Sequence, residues 1–460
     1  MILKQQRSFL RRLAFLLCLL LPAVLLSGCG YAAPPGENTG LLRAPMLNAQ
    51  QREIYEALSA TLDPDHITYV YPQNSEGSSF VFHDMDGDGR DEAVVFYTEQ
   101  GAPGEARAKI LCQDNQGGWY SFRDIAGSGD EVEFVEFAHL LSADYSSMLV
   151  GWNNSASRVK TLGVYSMRDG RFVPEYQEVY ASWDLFDYNG DDREELVLAR
   201  NPDGRYVLTL LGGTEGALLV TAEMPLNADA YSILQMLRGN LPSGGYGLYV
   251  DQEIREQGLG GTAIYGTEVI RVTGTGLETI AGVGLGTSGE EESSHLDAYY
   301  STFREEAALS VDLGDDGTIL VPRLQDLPGA RDDRTEDPIR LTEYRQLTLD
   351  GSFSVRYTAV VNRDQGYLVF YPERWLGTVT VVDQPEYNQW TFSKVNLETG
   401  EASVDLFRIR TYSILDPTIP QGDIHLDTKG VLEYYGSIPE TQEEPLAITE
   451  EEARQMFALT

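Results

Sequence analysis

The sequence predicts an all-β protein, and three observations predict that class. From about residue 66 to residue 435 the chain consists of short runs rich in Val, Tyr, Phe and Thr, broken by Gly, Asn and Asp, a pattern typical of strands joined by turns. Two loops with the same spacing of carboxylates, Asp84–Glu92 and Asp187–Glu195, interrupt this region. Helical patterns occur near the two ends of the chain, so we expect short terminal helices around a large β region.

Residues 1–28 have the features of a secretory signal. A basic segment precedes the apolar run LAFLLCLLLPAVLL, and this order marks export rather than a membrane-spanning helix. The LSGC motif ending at Cys29 resembles the lipobox of bacterial lipoproteins, which implies that the chain is cut before Cys29 and lipidated on it. We therefore expect an extracytoplasmic protein anchored to the bacterial cell membrane through that lipid. An uncleaved anchor or ordinary secretion would also place the rest of the chain outside the cytoplasm.

The charge balance excludes one class of partner. The 460-residue chain carries 34 Lys and Arg against 71 Asp and Glu, a formal charge of −37. Four of the basic residues and none of the acidic ones lie in residues 1–28, so the remaining 30 and 71 give −41. Such a surface repels nucleic acid and anionic lipid. We expect no nucleic-acid partner.

Cysteine usage leaves no intramolecular disulfide in the folded part. Cys18 lies in the signal and Cys29 is the expected lipid site, so Cys112 is the one remaining thiol. Because it sits in the apolar segment AKILCQ, we expect a buried and unreactive side chain.

The ends of the chain divide into four segments around the β region at 63–436. Residues 29–45 are rich in Pro and Gly and are expected to be a flexible tether. Apolar residues recur at near-helical spacing over 46–62, with Asn48 as the N-cap, which predicts a helix. The C-terminal tail at 437–460 contains Thr449 and Glu452 at the spacing of a capping box, so it is expected to hold a second helix.

The two carboxylate loops have a calcium-ligand spacing. Calcium binds six to eight oxygen ligands, and alternate acidic side chains on a tightly turning loop converge on one point. Positions 1, 3, 5 and 9 would supply side-chain oxygens and position 7 a backbone carbonyl. In the first loop these ligands are Asp84, Asp86, Asp88, Glu92 and the carbonyl of Arg90. In the second they are Asp187, Asn189, Asp191, Glu195 and the carbonyl of Arg193.

These loops differ from an EF-hand. An EF-hand requires a bidentate Glu at position 12 and a helix on each side. Position 12 is Val95 in the first loop and Leu198 in the second, and the flanking residues are β-branched and aromatic. The loops are therefore predicted to join strands. The alternative to calcium binding is that both loops are ordinary turns, since Asp, Asn and Gly are also the residues that turns prefer.

The segments DMDGDGRDEAVVF and DYNGDDREELVLA resemble the FG-GAP/VCBS-type repeats of integrin α-subunit β-propellers and bacterial surface proteins. The resemblance implies a β-propeller with structural calcium ions. VDLGDDGTILVP keeps Asp312 at position 1 and Asp316 at position 5 but has Leu320 at position 9, so we interpret it as a degenerate copy that binds no ion. Turn-and-strand segments near Asp144, Asp251 and Asn362 are interpreted as further repeats, which gives six or seven blades.

No catalytic motif accompanies the loops. The five histidines form no close pair of metal-ligand spacing, and neither HExxH nor G-x-S-x-G occurs. Aromatic residues, including five tryptophans, are assigned to packing between sheets, with sugar stacking as the alternative. The favoured function is a binding or scaffold module, not an enzyme, for a protein, peptide or glycan at the cell envelope. A secreted hydrolase of wall glycan with unidentified carboxylates and a self-associating structural protein remain as alternatives.

Overall fold

The computed structural model describes residues 49–75, 77–214, 216–255, 263–282, 302–329, 339–415, 423–440 and 445–460. The predicted signal, Cys29 and the tether lie outside these residues, as do Asn48, residues 283–301 and residues 330–338. The chain divides into two compact units, Met1–Glu56 and Ala57–Thr460. Within the described part of the chain, no helix is long and apolar enough to span a membrane.

The two predicted helices are present. Helix α1 covers Ala49–Ser59 and helix α2 covers Glu450–Met456. In α2 the Thr449 hydroxyl accepts a hydrogen bond from the Glu452 N–H at 3.2 Å, and the Glu452 carboxylate accepts one from the Thr449 N–H at 2.9 Å. This is the capping box that the sequence predicts. Short 3₁₀ turns occur at Pro64–His66, Pro202–Gly204, Glu373–Trp375 and Pro385–Tyr387.

The all-β prediction is confirmed, because nearly all other elements of the described chain are strands in six antiparallel sheets. Sheet 1 contains β1 (Ile67–Tyr69), β2 (Phe80–His83), β3 (Glu92–Glu99), β4 (Ala102–Gln113) and β5 (Trp119–Ala126). Sheet 2 contains β6 (Glu131–Ala138), β7 (Ser147–Asn154), β8 (Val159–Arg168) and β9 (Arg171–Tyr180). Sheet 3 contains β10 (Ser182–Phe186), β11 (Glu195–Arg200), β12 (Val207–Thr214) and β13 (Ala217–Pro225).

The later sheets follow in chain order, with one exception at the C-terminus. Sheet 4 contains β14 (Ala230–Asn240), β15 (Tyr246–Ile254), β16 (Ile264–Thr273) and β17 (Gly276–Gly282). Sheet 5 contains β18 (Leu320–Asp326), β19 (Arg340–Leu347), β20 (Phe353–Asn362), β21 (Tyr367–Phe370) and the terminal β27 (Phe457–Leu459). Sheet 6 contains β22 (Val379–Gln384), β23 (Gln389–Asn396), β24 (Glu401–Ser413), β25 (Ile424–Lys429) and β26 (Leu432–Ser437).

Each sheet packs face to face on the next. Phe96 of sheet 1 and Trp152 of sheet 2 meet edge to face with their ring centroids 6.1 Å apart. Shared buried clusters likewise join sheets 2 and 3, 3 and 4, 4 and 5, and 5 and 6. The second strand of a sheet is accordingly buried on both faces, as in β7 and β11, whereas the fourth strands β9 and β13 remain partly exposed. This layering explains why β7 and β11 are nearly continuous apolar runs.

The repeats interpreted from sequence fall at two kinds of position. The turn near Asp144 leads into β7 of sheet 2, and the segment near Asp251 consists of a turn that leads into β15 of sheet 4, just as the carboxylate loops lead into β3 and β11. The turn after Asn362 instead joins β20 to β21, at the far side of sheet 5. That turn is therefore not equivalent to the others, because polar turns also occur at strand connections outside the repeated position.

Candidate metal centre

Three loops share one strand register. The residue before position 1 pairs with position 9 in each case: His83 with Glu92, Phe186 with Glu195, and Val311 with Leu320. The first loop joins β2 to β3 in sheet 1, the second joins β10 to β11 in sheet 3, and the third leads into β18. The spacing found in the sequence therefore corresponds to one local structure that occurs three times.

The aspartate at position 1 organises the first loop. Asp84 accepts hydrogen bonds from the backbone N–H groups of Gly87, Asp88 and Gly89 at 2.9, 3.2 and 2.8 Å. Gly87 and Gly89 have φ values of 77° and 86°, a region that glycine occupies without strain. Gly87 also packs against sheet 2, since a Cβ built on it would lie 2.0 Å from the Asp144 carbonyl oxygen.

The acidic side chains of the first loop converge. One carboxylate oxygen from each of Asp84, Asp86 and Asp88 lies within 4.8 Å of the other two, an arrangement that could hold a metal ion. Burial raises the pKa of Asp86, whereas the hydrogen-bonded guanidinium of Arg90 lowers that of Asp88. The Arg90 side chain also donates to the Asp114 carbonyl at 2.8 Å. Its guanidinium therefore lies across one side of the cluster and bonds to Asp88, a proposed ligand.

The Glu92 side chain lies on the buried side of the first loop. The residue is buried, and its Oε2 accepts a hydrogen bond from the Met85 N–H at 2.9 Å. Burial raises the pKa of this carboxyl to about 7, and the neighbouring charges of Asp86, Asp84 and Asp88 act in the same direction. A cation bound by these acids would offset both effects, because it would pair charges that otherwise repel each other.

The second loop repeats this frame with one change. Asp187 accepts from the N–H groups of Gly190, Asp191 and Asp192, and Glu195 is buried and accepts from the Tyr188 N–H at 2.9 Å. At position 3, however, the amide of Asn189 donates to Glu195 at 2.6 Å. This contact satisfies one Glu195 oxygen within the loop itself.

The arginine at position 7 has the same role in both loops. Arg193 donates to Asp191 at 2.8 Å and to the Gly213 carbonyl at 3.2 Å. The corresponding contacts of Arg90 go to Asp88 and to Asp114. Each arginine thus ties its loop to the second hairpin of its own sheet, a role that the sequence pattern did not indicate.

The third loop keeps the backbone frame without the ligand set. Asp312 accepts from the Gly317 N–H at 2.7 Å, and the carboxylate of Asp316 is paired with Arg356 at 2.8 Å. Position 9 is Leu320, which is fully buried in an apolar cluster. The loop geometry therefore does not depend on a complete set of carboxylates.

The first two loops dock on the same turn of sheet 2, which the sequence analysis missed. The Ser146 N–H donates to the Met85 carbonyl at 3.2 Å, and the His139 N–H donates to Glu194 at 2.8 Å. His83, at the end of β2, stacks on Phe137 and bonds to Ser146 at 2.9 Å. Only the adjacency of the sheets brings these groups together, so no local pattern could have shown it.

Other side chains singled out in the sequence are structural. Cys112 is buried, and burial raises the pKa of its thiol to about 12. Trp152, Trp375 and Trp390 are buried in the clusters between sheets, which agrees with packing rather than sugar stacking. Glu268, which no sequence pattern indicated, has a raised pKa but is 1% exposed, so its carboxyl group does not reach solvent.

No protein-family profile and no curated protein matches the chain. Among solved structures, it is similar to the Bacillus licheniformis rhamnogalacturonan lyase PL11, at 10% identity and a TM-score of 0.27 over 74% of this chain and 77% of that one. The rhamnogalacturonan lyase YesW gives 10% identity, a TM-score of 0.28 and the same coverage. A putative 6-phosphogluconolactonase from Bacteroides fragilis is similar at 8% identity and a TM-score of 0.27, over 74% of this chain and 93% of that one. All three TM-scores lie below 0.5, so these similarities establish neither a common fold nor a common activity.

Proposed function

We propose that this chain is a lipid-anchored, extracytoplasmic β-propeller that binds calcium in its first two carboxylate loops and acts as a binding or scaffold module at the cell envelope. Its ligand is a protein, a peptide or a glycan. The observation that carries the proposal is the common register of the loops, in which positions 1, 3, 5 and 9 recur on the same connection of sheets 1 and 3.

Contacts between equivalent strands support the propeller. Strand β10 contacts β14, and the fourth strands β9, β13 and β17 contact one another in succession. First strands therefore lie beside first strands and fourth beside fourth, which is how the blades of a propeller are arranged. On this interpretation the six sheets are successive blades of an open row, because the buried clusters of described residues join each sheet to the next but do not join sheet 6 to sheet 1.

The chemistry of the two loops supports calcium. Their donor atoms are carboxylate and carbonyl oxygens, which calcium prefers over nitrogen and sulfur ligands. The ion has a structural role: it neutralises the buried Glu92 and Glu195 and fixes the loops against the turn of sheet 2. The ligands are those predicted from the spacing, with Arg90 and Arg193 contributing backbone carbonyls.

The anchor follows from the N-terminal sequence. The basic and apolar segments and the LSGC motif support lipidation of Cys29, with residues 29–45 as the tether. The acidic surface suits a protein held outside the cytoplasm. Because such a surface repels nucleic acid, the proposal includes no nucleic-acid partner.

Thermal unfolding across a calcium titration tests the loops. Ligand binding to the native state stabilises by RT ln(1 + [L]/Kd), about 2.7 kcal/mol at a hundredfold excess over Kd. We expect calcium to raise the Tm of the protein and to have little effect on the double variant Glu92→Gln/Glu195→Gln. With chelator, this variant should be at least as stable as the parent, because a Gln still accepts the backbone N–H bond and removes a buried charge.

Exposed glutamates provide the matched control. Glu398→Gln/Glu401→Gln removes the same charge from exposed positions of the β23–β24 hairpin, so its calcium response should equal that of the parent. Calcium binding is absent from these loops if the parent melts at the same temperature in calcium and in chelator, or if both double variants respond alike at constant ionic strength.

A further inference from the structure

The outer face of sheet 6 carries a polar cavity. The face towards sheet 5 contributes Phe392, Phe407 and Ile409 to the core. The opposite face holds a cavity of about 240 Å³, lined by polar and aromatic side chains that include Gln389, Arg408, Arg410, Tyr412, Asp423 and Tyr435. That volume is below the usual range of drug-sized sites, about 300–1,000 Å³, and suits a ligand of one sugar ring.

Strand pairing sets the order of side chains across this cavity. Arg410 of β24 lies opposite Gln389 of β23 on one side and opposite Tyr435 of β26 on the other. Directly paired residues project from the same face of an antiparallel sheet. A guanidinium is therefore placed between an amide and an aromatic ring, within a single row across three strands.

Arg410 makes no direct ion pair, although its charge lies near Asp423: burial raises the pKa of that carboxyl, and the attraction of Arg410 lowers it. None of the ion pairs formed by the described residues includes it, whereas the neighbouring Arg408 is paired with Asp405 at 2.6 Å. The Arg410 Nε is buried without a hydrogen-bond partner, and its Nη1 donates only a long bond, 3.4 Å, to the Tyr412 hydroxyl. In a chain with 71 acidic residues and 34 basic ones, an arginine left unpaired in a cavity has donors available for an external anion.

Aromatic rings surround that guanidinium. The Tyr387 and Tyr412 ring centroids lie 5.3 and 5.9 Å from the Arg410 Cζ, and Tyr412 meets Tyr435 edge to face at 5.8 Å. Tyr387 is 55% exposed. Tyr412 is 7% exposed, so the ring faces available to the C–H groups of a sugar are those of Tyr387 and Tyr435. The Gln389 Nε2 already donates to Gln384 and Thr391 at 2.6 and 3.0 Å, so this amide offers its oxygen to a sugar hydroxyl.

We propose that this cavity binds a sugar ring bearing a carboxylate, with Arg410 as the carboxylate ligand and the tyrosines as the ring platform. Asp423 lines the same cavity and repels the ligand carboxylate, so that carboxylate binds at Arg410 rather than beside Asp423. The site deepens the proposed binding function, since it names a ligand class, but it does not require calcium in the loops.

Two sugars that differ only in the acid group provide the test. Binding of D-glucuronate and D-glucose to the full-length protein is measured by calorimetry, in calcium and in chelator. We expect glucuronate to bind at least tenfold more tightly than glucose. Arg410→Gln should lower glucuronate affinity at least tenfold, whereas Arg171→Gln, at an exposed turn of sheet 2, should leave it unchanged. Unchanged Tm values for both variants show that they fold.

Each alternative result has a defined meaning. Equal affinity for the two sugars, or an Arg410→Gln variant that binds like the parent, overturns the site. Tight binding of inorganic phosphate or of an aspartate-rich peptide, with none of glucuronate, overturns the sugar assignment and assigns the cavity to those anions. If the calcium response of the Tm persists while glucuronate fails to bind, the cavity proposal fails and the calcium loops stand; the reverse pattern contradicts only the loops.

Discussion

At the scale of single residues, Glu268 on β16 couples folding to pH. Its Oε1 accepts from the Asn227 N–H at 2.8 Å and from the Gln252 amide at 3.0 Å, while its Oε2 and the Gln252 Oε1 have no partner. Burial raises the pKa of this carboxyl from 4.5 to about 7. Glu268 Oε2 and Gln252 Oε1 are both acceptors without a donor, and a proton on the Glu268 Oε2 would supply one.

Glu268→Gln should therefore remove a pH-dependent term from stability. Since the folded-state pKa is above the unfolded value, the contribution of Glu268 is fully present below pH 4.5 and is lost as the pH rises through about 7. We expect the free energy of unfolding in urea to be nearly the same for variant and parent at pH 4.5. At pH 8 the variant should be more stable by on the order of 3 kcal/mol. A difference between parent and variant that does not change with pH would contradict the raised pKa.

Two glycines of the first loop separate backbone strain from steric clash. Both have positive φ, but an added Cβ meets the Asp144 carbonyl at 2.0 Å on Gly87 and nothing within 4 Å on Gly89. We expect Gly89→Ala to cost about 1–2 kcal/mol, the penalty of a left-handed backbone, and Gly87→Ala to cost more because the loop must move away from sheet 2. Chemical denaturation measures both. Equal losses would show that the loop is not packed on Asp144.

At the scale of elements, the C-terminal helix depends on its cap. Helix α2 has seven residues and is too short to be stable by itself. Thr449→Ala should destabilise the protein by about 0.5–2 kcal/mol, because it leaves the Glu452 N–H without its acceptor, whereas Thr449→Ser should be nearly neutral. If Ala and Ser variants had equal unfolding free energies, tertiary packing alone would hold the helix.

Elements with local signals could be predicted from the sequence, and those defined by distant contacts could not. The capping box at Thr449 and the strand-loop-strand form of Asp84–Glu92 depend on residues a few positions apart, so their spacing revealed them. The buried position of Glu92 and the tie from Arg90 to Asp114 depend on which hairpins meet. The cavity around Arg410 was not predicted at all, because its row of side chains is assembled from three strands separated along the chain.

At the scale of the whole molecule, net charge opposes compactness. A formal charge of −37 repels itself in the folded state, and salt screens this repulsion as the Debye length falls from about 30 Å at 0.01 M to about 8 Å at 0.15 M. We expect NaCl over that range of concentrations to raise the Tm of the protein in the presence of chelator. A Tm that is constant or falls with salt would show that paired charges, such as those of Arg200 with Glu178 and Glu223, outweigh the net repulsion.

The return of β27 to sheet 5 affects the order in which the sheets are completed. Residues 457–459 pair with β21, and Phe457 packs among Tyr367 and Tyr434. Each of sheets 1 to 4 draws its strands from one stretch of the chain, so each can form from its own segment alone. Sheet 5 takes its last strand from beyond the whole of sheet 6, so its completion depends on a contact between distant parts of the chain, and we expect it to be slower than that of sheets 1 to 4.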